Sequence, residues 1–560
     1  MDEPWVAVPS YSAKSHQESL PDRVRRVKAD LNDLTTFYNV SISDTRYTRL
    51  HSFLLNEIAS LESIKFDQLS QQDKVDFVLL RNFLHRQARQ LDLERARKDG
   101  YAVLVPFASL VISICEDRQR VEPMRPDLTA QKMHQIKLDI NQIKDRVREG
   151  KAEVDKASAL RAVDVVSELR EHLAETYRFY ASYDPLFDWW VAQPWREVDA
   201  ALKTYVPLIR YQLAGMNPDV EDEIVGQPIG RDGLLAELAA EMIAYSPEEL
   251  ITIAREQYAW CEEQIKAASR ELGFGDRWKR ALDYVKRQSV PPGEQTKLVL
   301  DLAREGTSFV RQHDLVTVPV LADETYRMFM MTPEDQKVAP FFLGGPSILV
   351  SYPTADMPYE LKQMVMRGNN RHFSRAVAFH ELIPGHRLQM FMAERHNSHR
   401  QLFSTPFFVE GWAMYWEMVF WSRGDFFVSA EDRIGSLFWR MHRCARIIFS
   451  LNFHLGKMTA PECVDLLVDW VGHERSTAEG EVKRSFNGDW SPLYQCGYML
   501  GALQLFLLRR EALEKGLLSE KQFNDAVLKS NMMPIELLRA LLLDQELSPD
   551  YEAKWRFYDE

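Results

Sequence analysis

Residues 376–389 read AVAFHELIPGHRLQ. The first half is a helix pattern: Ala376, Val377, Ala378 and Phe379 lead into His380 and Glu381 with no glycine or proline. An adjacent His-Glu pair followed by a second His is the motif of zinc hydrolases, in which two histidines four residues apart share one helix face and bind the metal. Four residues leave an angular offset of about 40°. Here His386 stands six residues after His380, an offset of roughly 240° by the same arithmetic. On an unbroken helix it would point away from an ion held by His380. Pro384 lacks a backbone donor, and Gly385 tolerates non-helical dihedrals. The helix is therefore expected to bulge or stop near Ile383 and to turn His386 back toward His380.

Residues 408–417, FVEGWAMYWE, supply the third donor. Two histidines and one glutamate commonly hold zinc and leave a fourth position for water. In gluzincin-type enzymes the glutamate sits on a following helix in such a Glu-Gly-aromatic-Ala run, and Glu410 fits that place. Glu417, seven residues on, returns to the same helix face and is expected to orient a ligand histidine. His380, His386 and Glu410 would then hold one Zn2+ per chain, although ligand type alone leaves manganese and cobalt open. The metal lowers the pKa of its water toward ~7. Glu381 takes the water's proton as general base and delivers it to the leaving nitrogen. A further donor is needed for the tetrahedral oxyanion.

Outward from these motifs most of the chain reads as helix. Asp22 to Asn39 and Thr129 to Ala181 carry apolar residues at helical spacing. Ser246-Pro247-Glu248-Glu249 and Thr332-Pro333-Glu334-Asp335 are helix starts, with a capping hydroxyl, a first-turn proline and early acids. Leu315 to Leu321 and Ile348 to Tyr352 are rich in β-branched residues and read as strands, with Gly344-Gly345-Pro346 between them. A Pro/Gly-rich stretch over 216–233 reads as a connection between an N-terminal helical region, 1–215, and a catalytic region, 234–560.

With 560 residues, 46% hydrophobic and 27% charged, the chain has the composition of a soluble globular protein with room for two or three subdomains. A net charge of −13 repels nucleic-acid phosphates and anionic lipids, so neither nucleic acid nor membrane is an expected partner. The most apolar run, Tyr101 to Cys115, is broken by Pro106 and too short to span a bilayer. The five cysteines form no C-x-x-C pair and suit a reducing compartment. Residues 1–5 show no signal-peptide pattern, and a cytoplasmic location is expected. A serine hydrolase elbow is missing, because Gly345-Pro346-Ser347-Ile348-Leu349 fails at its last position. His473-Glu474 has no histidine at useful spacing and reads as surface or structural. His372, His396 and His399 read as polar contacts or substrate-side groups rather than ligands.

The run H-E-x-x-P-G-H followed by E-G-W-A-x-Y-x-E resembles the proteins grouped as the domain of unknown function 885, which look like helical metallopeptidases distantly similar to the thimet oligopeptidase and carboxypeptidase Taq groups. A third block supports the likeness: Glu481-Val482-Lys483-Arg484, Pro492, Tyr498 to Gly501, and Leu508-Arg509. Similarity runs from near Ile229 to about Leu538. The chain departs from the pattern at Arg387, where a second histidine is usual, at Asn524 in a Phe-His-Asp run, and at Asn531, where a glycine is expected.

The resemblance implies a transition-state donor among the C-terminal residues: Tyr498 first, Arg484 second, Tyr494 third. It also implies that Ile348 to Tyr352 is an edge strand that binds an extended peptide, with Gly344 and Gly345 allowing close approach. The expected fold is mainly α, with two helical halves around a deep active-site cleft and a small antiparallel β-sheet near the metal. The expected function is hydrolysis of short peptides. The alternatives are a metal-dependent enzyme for a non-peptide amide or other small metabolite, toward which Arg387 is a hint, and a non-catalytic helical binding protein. Glu381 argues against the last, since binding alone needs no general base.

Overall fold

The computed structural model describes residues 18–216, 224–333, 336, 344–488 and 490–558. Helices dominate, and their starts follow local chemistry. Ser246 accepts from the Glu249 amide while the Glu249 side chain accepts from the Ser246 amide, which closes a capping box on the helix Pro247–Glu271. The Thr332 start runs into Glu334 and Asp335, which lie outside the described residues. The first expected helix is Leu20–Phe37. The second is two helices, Pro126–Arg148 and Lys156–Tyr180, parted where Gly150 takes a φ of +67° that a side chain would resist.

Among the described residues two large apolar cores result, beside a small cluster of Leu298, Leu302 and Ala378. One gathers Val40 and residues between Tyr101 and Ala214, among them Ile136, Val166 and Val198. The larger unites Leu20 to Ala88 with residues from Leu234 to Phe557. The first three helices thus precede the 216–233 segment in the chain but share a core with the residues on its C-terminal side. No single described helix is long and apolar enough to cross a membrane.

The sheet has two strands, β1 (Arg327–Met330) and β2 (Ser347–Val350), and it is parallel, not antiparallel. A long connection from 331 to 346 lets the second strand restart at the same end, which a tight hairpin could not do. The strand expected at Leu315–Leu321 does not form. Pro319 has no N–H for a ladder and instead leads into the short helix Val320–Glu324. β2 lies where its β-branched run predicts a strand.

Two helices cross the centre of the larger core. Pro406–Arg423 is apolar around most of its circumference and buries Trp412, Tyr415 and Trp416 completely. It runs against Tyr494–Glu514 with almost no side chain between them. A Cβ at Gly411 would fall 2.8 Å from the Gly501 backbone, and one at Gly501 would fall 2.0 Å from the Phe407 carbonyl oxygen. This close approach brings Glu410 within reach of Tyr494 and Tyr498. The second central helix, Ala430–His454, is buried along nearly its whole length.

Candidate metal centre

The spacing of the two histidines is resolved by a break in the backbone. Asn370 caps the helix Arg371–Glu381, which ends directly after His380. Leu382 leaves helical space at φ −108°, ψ −112°, and the Ile383–Pro384 peptide is cis. Gly385, at φ −77° and ψ −133°, lies outside both helical and extended space, and a new helix, His386–Ala393, begins at the second histidine. The turn is held on both sides. The Gly385 amide donates to the Phe379 carbonyl at 3.0 Å. The buried Trp412 indole donates to the Pro384 carbonyl at 2.9 Å. Gln389 ties the new helix to the Phe408 carbonyl at 3.1 Å. The Cβ of any other residue at 385 would lie 1.9 Å from the His380 carbonyl oxygen, so the turn requires glycine.

The break brings the His380 and His386 ring centres to 5.0 Å at nearly right angles. Glu410 Oε2 lies 3.2 Å from His386 Nε2 and 3.8 Å from His380 Nε2. Donor atoms of all three sit within 4.8 Å of one another and are buried. Tetrahedral zinc with bonds near 2.0–2.1 Å separates its donors by about 3.3 Å, so these residues fit the ion with little movement. His380 Nδ1 is 2.7 Å from Glu417 Oε1, the outer contact that fixes which ring nitrogen faces a metal. Glu417→Gln is expected to weaken zinc binding ~10–100-fold in a chelator competition while the fold persists.

The electrostatics suit a cation. Burial alone would raise Glu410, but His386 and His380 outweigh it and hold the carboxyl well below its usual range. Burial alone would lower His380. Hydrogen bonding to Glu410 and Glu417 wins and pushes it up to about 9. A bound ion must displace that proton. Zinc affinity of the metal-free protein is therefore expected to rise about tenfold per pH unit up to pH 9 and then level off, with proton release visible as buffer-dependent heat in calorimetry.

Glu381 adjoins the donors without joining them. Burial pushes its carboxyl up against the opposing pull of His380 and His386. The chain at Gly344 presses on it: a Cβ there would lie 2.0 Å from Glu381 Oε2. Gly345 faces Met390 instead. Tyr494 donates its hydroxyl to Glu410 Oε1. Tyr498 stacks 6.3 Å from the His380 ring, and burial raises its phenol, so it stays protonated and able to donate. Arg484 does not reach the donors; it pairs with Glu481 at 3.2 Å. Three further histidines, His372, His399 and His473, are engaged elsewhere. His372 lies between Asp432 and Gln288, His399 bonds Asp76, and the buried His473 bonds His442.

The sequence pattern that defines a bacterial protein family of unknown function, DUF885, matches residues 39–542. The chain belongs to the DUF885 family. No curated protein matches it. Two solved structures are similar in fold. One, described as a lipoprotein of unknown function from Shewanella oneidensis, is 17% identical with a TM-score of 0.71, over 94% of this chain and all of that one. The other, described as a lipoprotein from Colwellia psychrerythraea, is 16% identical with a TM-score of 0.58, over 94% of this chain and 99% of that one.

The departures from the DUF885 pattern now have physical settings. Arg387 points away from the donors and bonds the Ala322 carbonyl and the Thr325 hydroxyl. Asn524 is fully buried between the Tyr415 hydroxyl and the Leu315 carbonyl. Asn531 takes φ +66°, ψ −169°, a region that favours the expected glycine. Its side-chain amide holds that strain by donating to the carbonyls of Ala393, His396 and Asn397. Two residues near the DUF885 motifs escaped the sequence reading, Arg443 and Arg446. Both are buried on Ala430–His454 against the Tyr498 ring. Their signal was faint, because Glu431, Asp432, Arg433 and Arg440 place other charges on the same helix.

Proposed function

We propose that the protein is a zinc-dependent hydrolase that cleaves peptide bonds in short peptides. The observation that carries this reading is the convergence of His380, His386 and Glu410 with an uncommitted Glu381 beside them. Zinc held there supplies an acidified water and a Lewis acid for the carbonyl. Glu381 accepts the water's proton and hands it to the leaving nitrogen. Tyr498, kept protonated, donates to the developing oxyanion, while Tyr494 and Glu417 hold Glu410 and His380 in place. The backbone at Gly344 packs directly against Glu381, an approach that only a residue without a side chain allows.

The test is mass-spectrometric analysis of a mixed peptide library incubated with zinc-loaded protein. Cleavage that vanishes in Glu381→Gln supports the reading. Intact peptides, in protein verified to hold zinc, would move it to a non-peptide amide. The cytoplasmic expectation stays a proposal, supported by five buried, unpaired cysteines. The two structural neighbours are described as lipoproteins, so fractionation that finds this chain in the envelope would overturn it.

A further inference from the structure

Arg443 and Arg446 stand three residues apart on Ala430–His454 and so share a face. Each guanidinium carbon lies 4.5 Å from the centre of the Tyr498 ring, which itself stacks 6.3 Å from His380. Both cations are thus within about 11 Å of the His380 ring. Arg443 is near enough to Glu381, Glu410 and Glu417 for its charge to bear on all three.

These cations have fewer acceptors than donors. Arg443 is 6% exposed, its Nε is buried without a partner, and among the described residues no group accepts a hydrogen bond from it. Arg446 is 3% exposed; its Nε donates to Glu481 at 2.6 Å, but its Nη1 is buried and unpartnered. Arg484 draws on the same carboxylate. Two guanidinium groups, those of Arg446 and Arg484, therefore share Glu481, while Glu410 Oε2 faces His386, Glu417 Oε1 holds His380, and Glu417 Oε2 is buried without a hydrogen bond. Arg443 also lies 5.3 Å from the Trp439 ring centre. Ring contacts return only part of the cost of stripping water from a guanidinium, and an anion is the missing partner.

Given the peptidase reading, on which this step rests, we propose that Arg443 and Arg446 receive the free C-terminal carboxylate of the substrate. A carboxylate is planar and matches the forked donors of arginine. An extended residue spans at most ~3.3–3.6 Å, so a carboxylate held here lies no more than about three residues beyond the scissile bond. The enzyme is then a C-terminal exopeptidase that releases short C-terminal fragments, and it ignores a blocked N-terminus.

The experiment compares one pentapeptide as its free acid, its C-terminal amide and its N-acetyl derivative. Binding to zinc-loaded Glu381→Gln protein is read by calorimetry, and cleavage by the wild type is read by mass spectrometry. The acid and the N-acetyl form are expected to bind alike, and the amide at least about tenfold more weakly. In Glu381→Gln/Arg443→Gln the acid is expected to fall to the level of the amide, and Arg443→Lys should restore part of the difference. Cleavage should fall within three residues of the C-terminus. Equal binding of acid and amide, or cleavage that follows the N-terminus, would overturn the carboxylate site and leave the peptidase reading standing. No binding and no cleavage of any of the three would overturn both.

Discussion

Replacing Glu381 with glutamine is expected to leave the zinc content unchanged and to lower turnover ~10²–10⁴-fold, the range of a lost general base. The two halves of that expectation rest on different observations. Zinc is retained because the converging donors are His380, His386 and Glu410, and Glu381 is not among them. Turnover is lost because glutamine has the same shape but cannot take a proton. Glu381 is suited to that exchange: burial raises its carboxyl, and the nearby histidines pull the other way. A carboxylate poised between these influences can both accept and return a proton. Steady-state rates on a cleaved library peptide, beside zinc analysis of the same samples, check it. Undiminished turnover would remove Glu381 as the base, and loss of zinc would make it a structural residue.

Gly385→Ala is expected to have the largest effect of any single methyl group in the site. The new carbon would sit 1.9 Å from the His380 carbonyl oxygen and 2.6 Å from that of Phe379. Both are backbone atoms at the end of a buried helix, so no flexible side chain can give way. Relief requires the turn to open, and His386 begins the helix on its far side. Overpacking of this kind costs about 1–3 kcal/mol. Zinc affinity should fall by at least the ~10–100-fold seen when a ligand loses its support. Gly456→Ala is the control. Its Cβ meets nothing within 4 Å, so only the mild strain of φ +70° applies and zinc binding should not change. Thermal unfolding and zinc titration of both variants separate the local clash from general destabilisation.

The sequence was most legible where chemistry is local. His380, His386 and Glu410 could be named because each donor lies in a short motif, and the fold brings them together. Pro384 and Gly385 marked where the helix must break. The sequence could not say how the break is held, because the Trp412 indole that caps the Pro384 carbonyl belongs to another helix. Strand pairing failed for the same reason. β2 was visible as a β-branched run, but its partner was placed at Leu315–Leu321 when it is Arg327–Met330, and parallel. The Pro319 in that run was the overlooked warning. Arg443 and Arg446 were passed over because an arginine on a helix is ordinarily a solvated one. Only the packing around Tyr498 shows them to be buried.

The proposed hydrolase depends on one ion held by residues from both sides of the 382–385 turn. The direct measurement is native mass spectrometry of chelator-stripped protein returned to one equivalent of zinc, beside His386→Ala treated in the same way. One zinc per chain in the wild type and none in the variant is the expected result. A wild type that takes up no zinc, or a variant that keeps it, would contradict the metal centre and the hydrolase built on it.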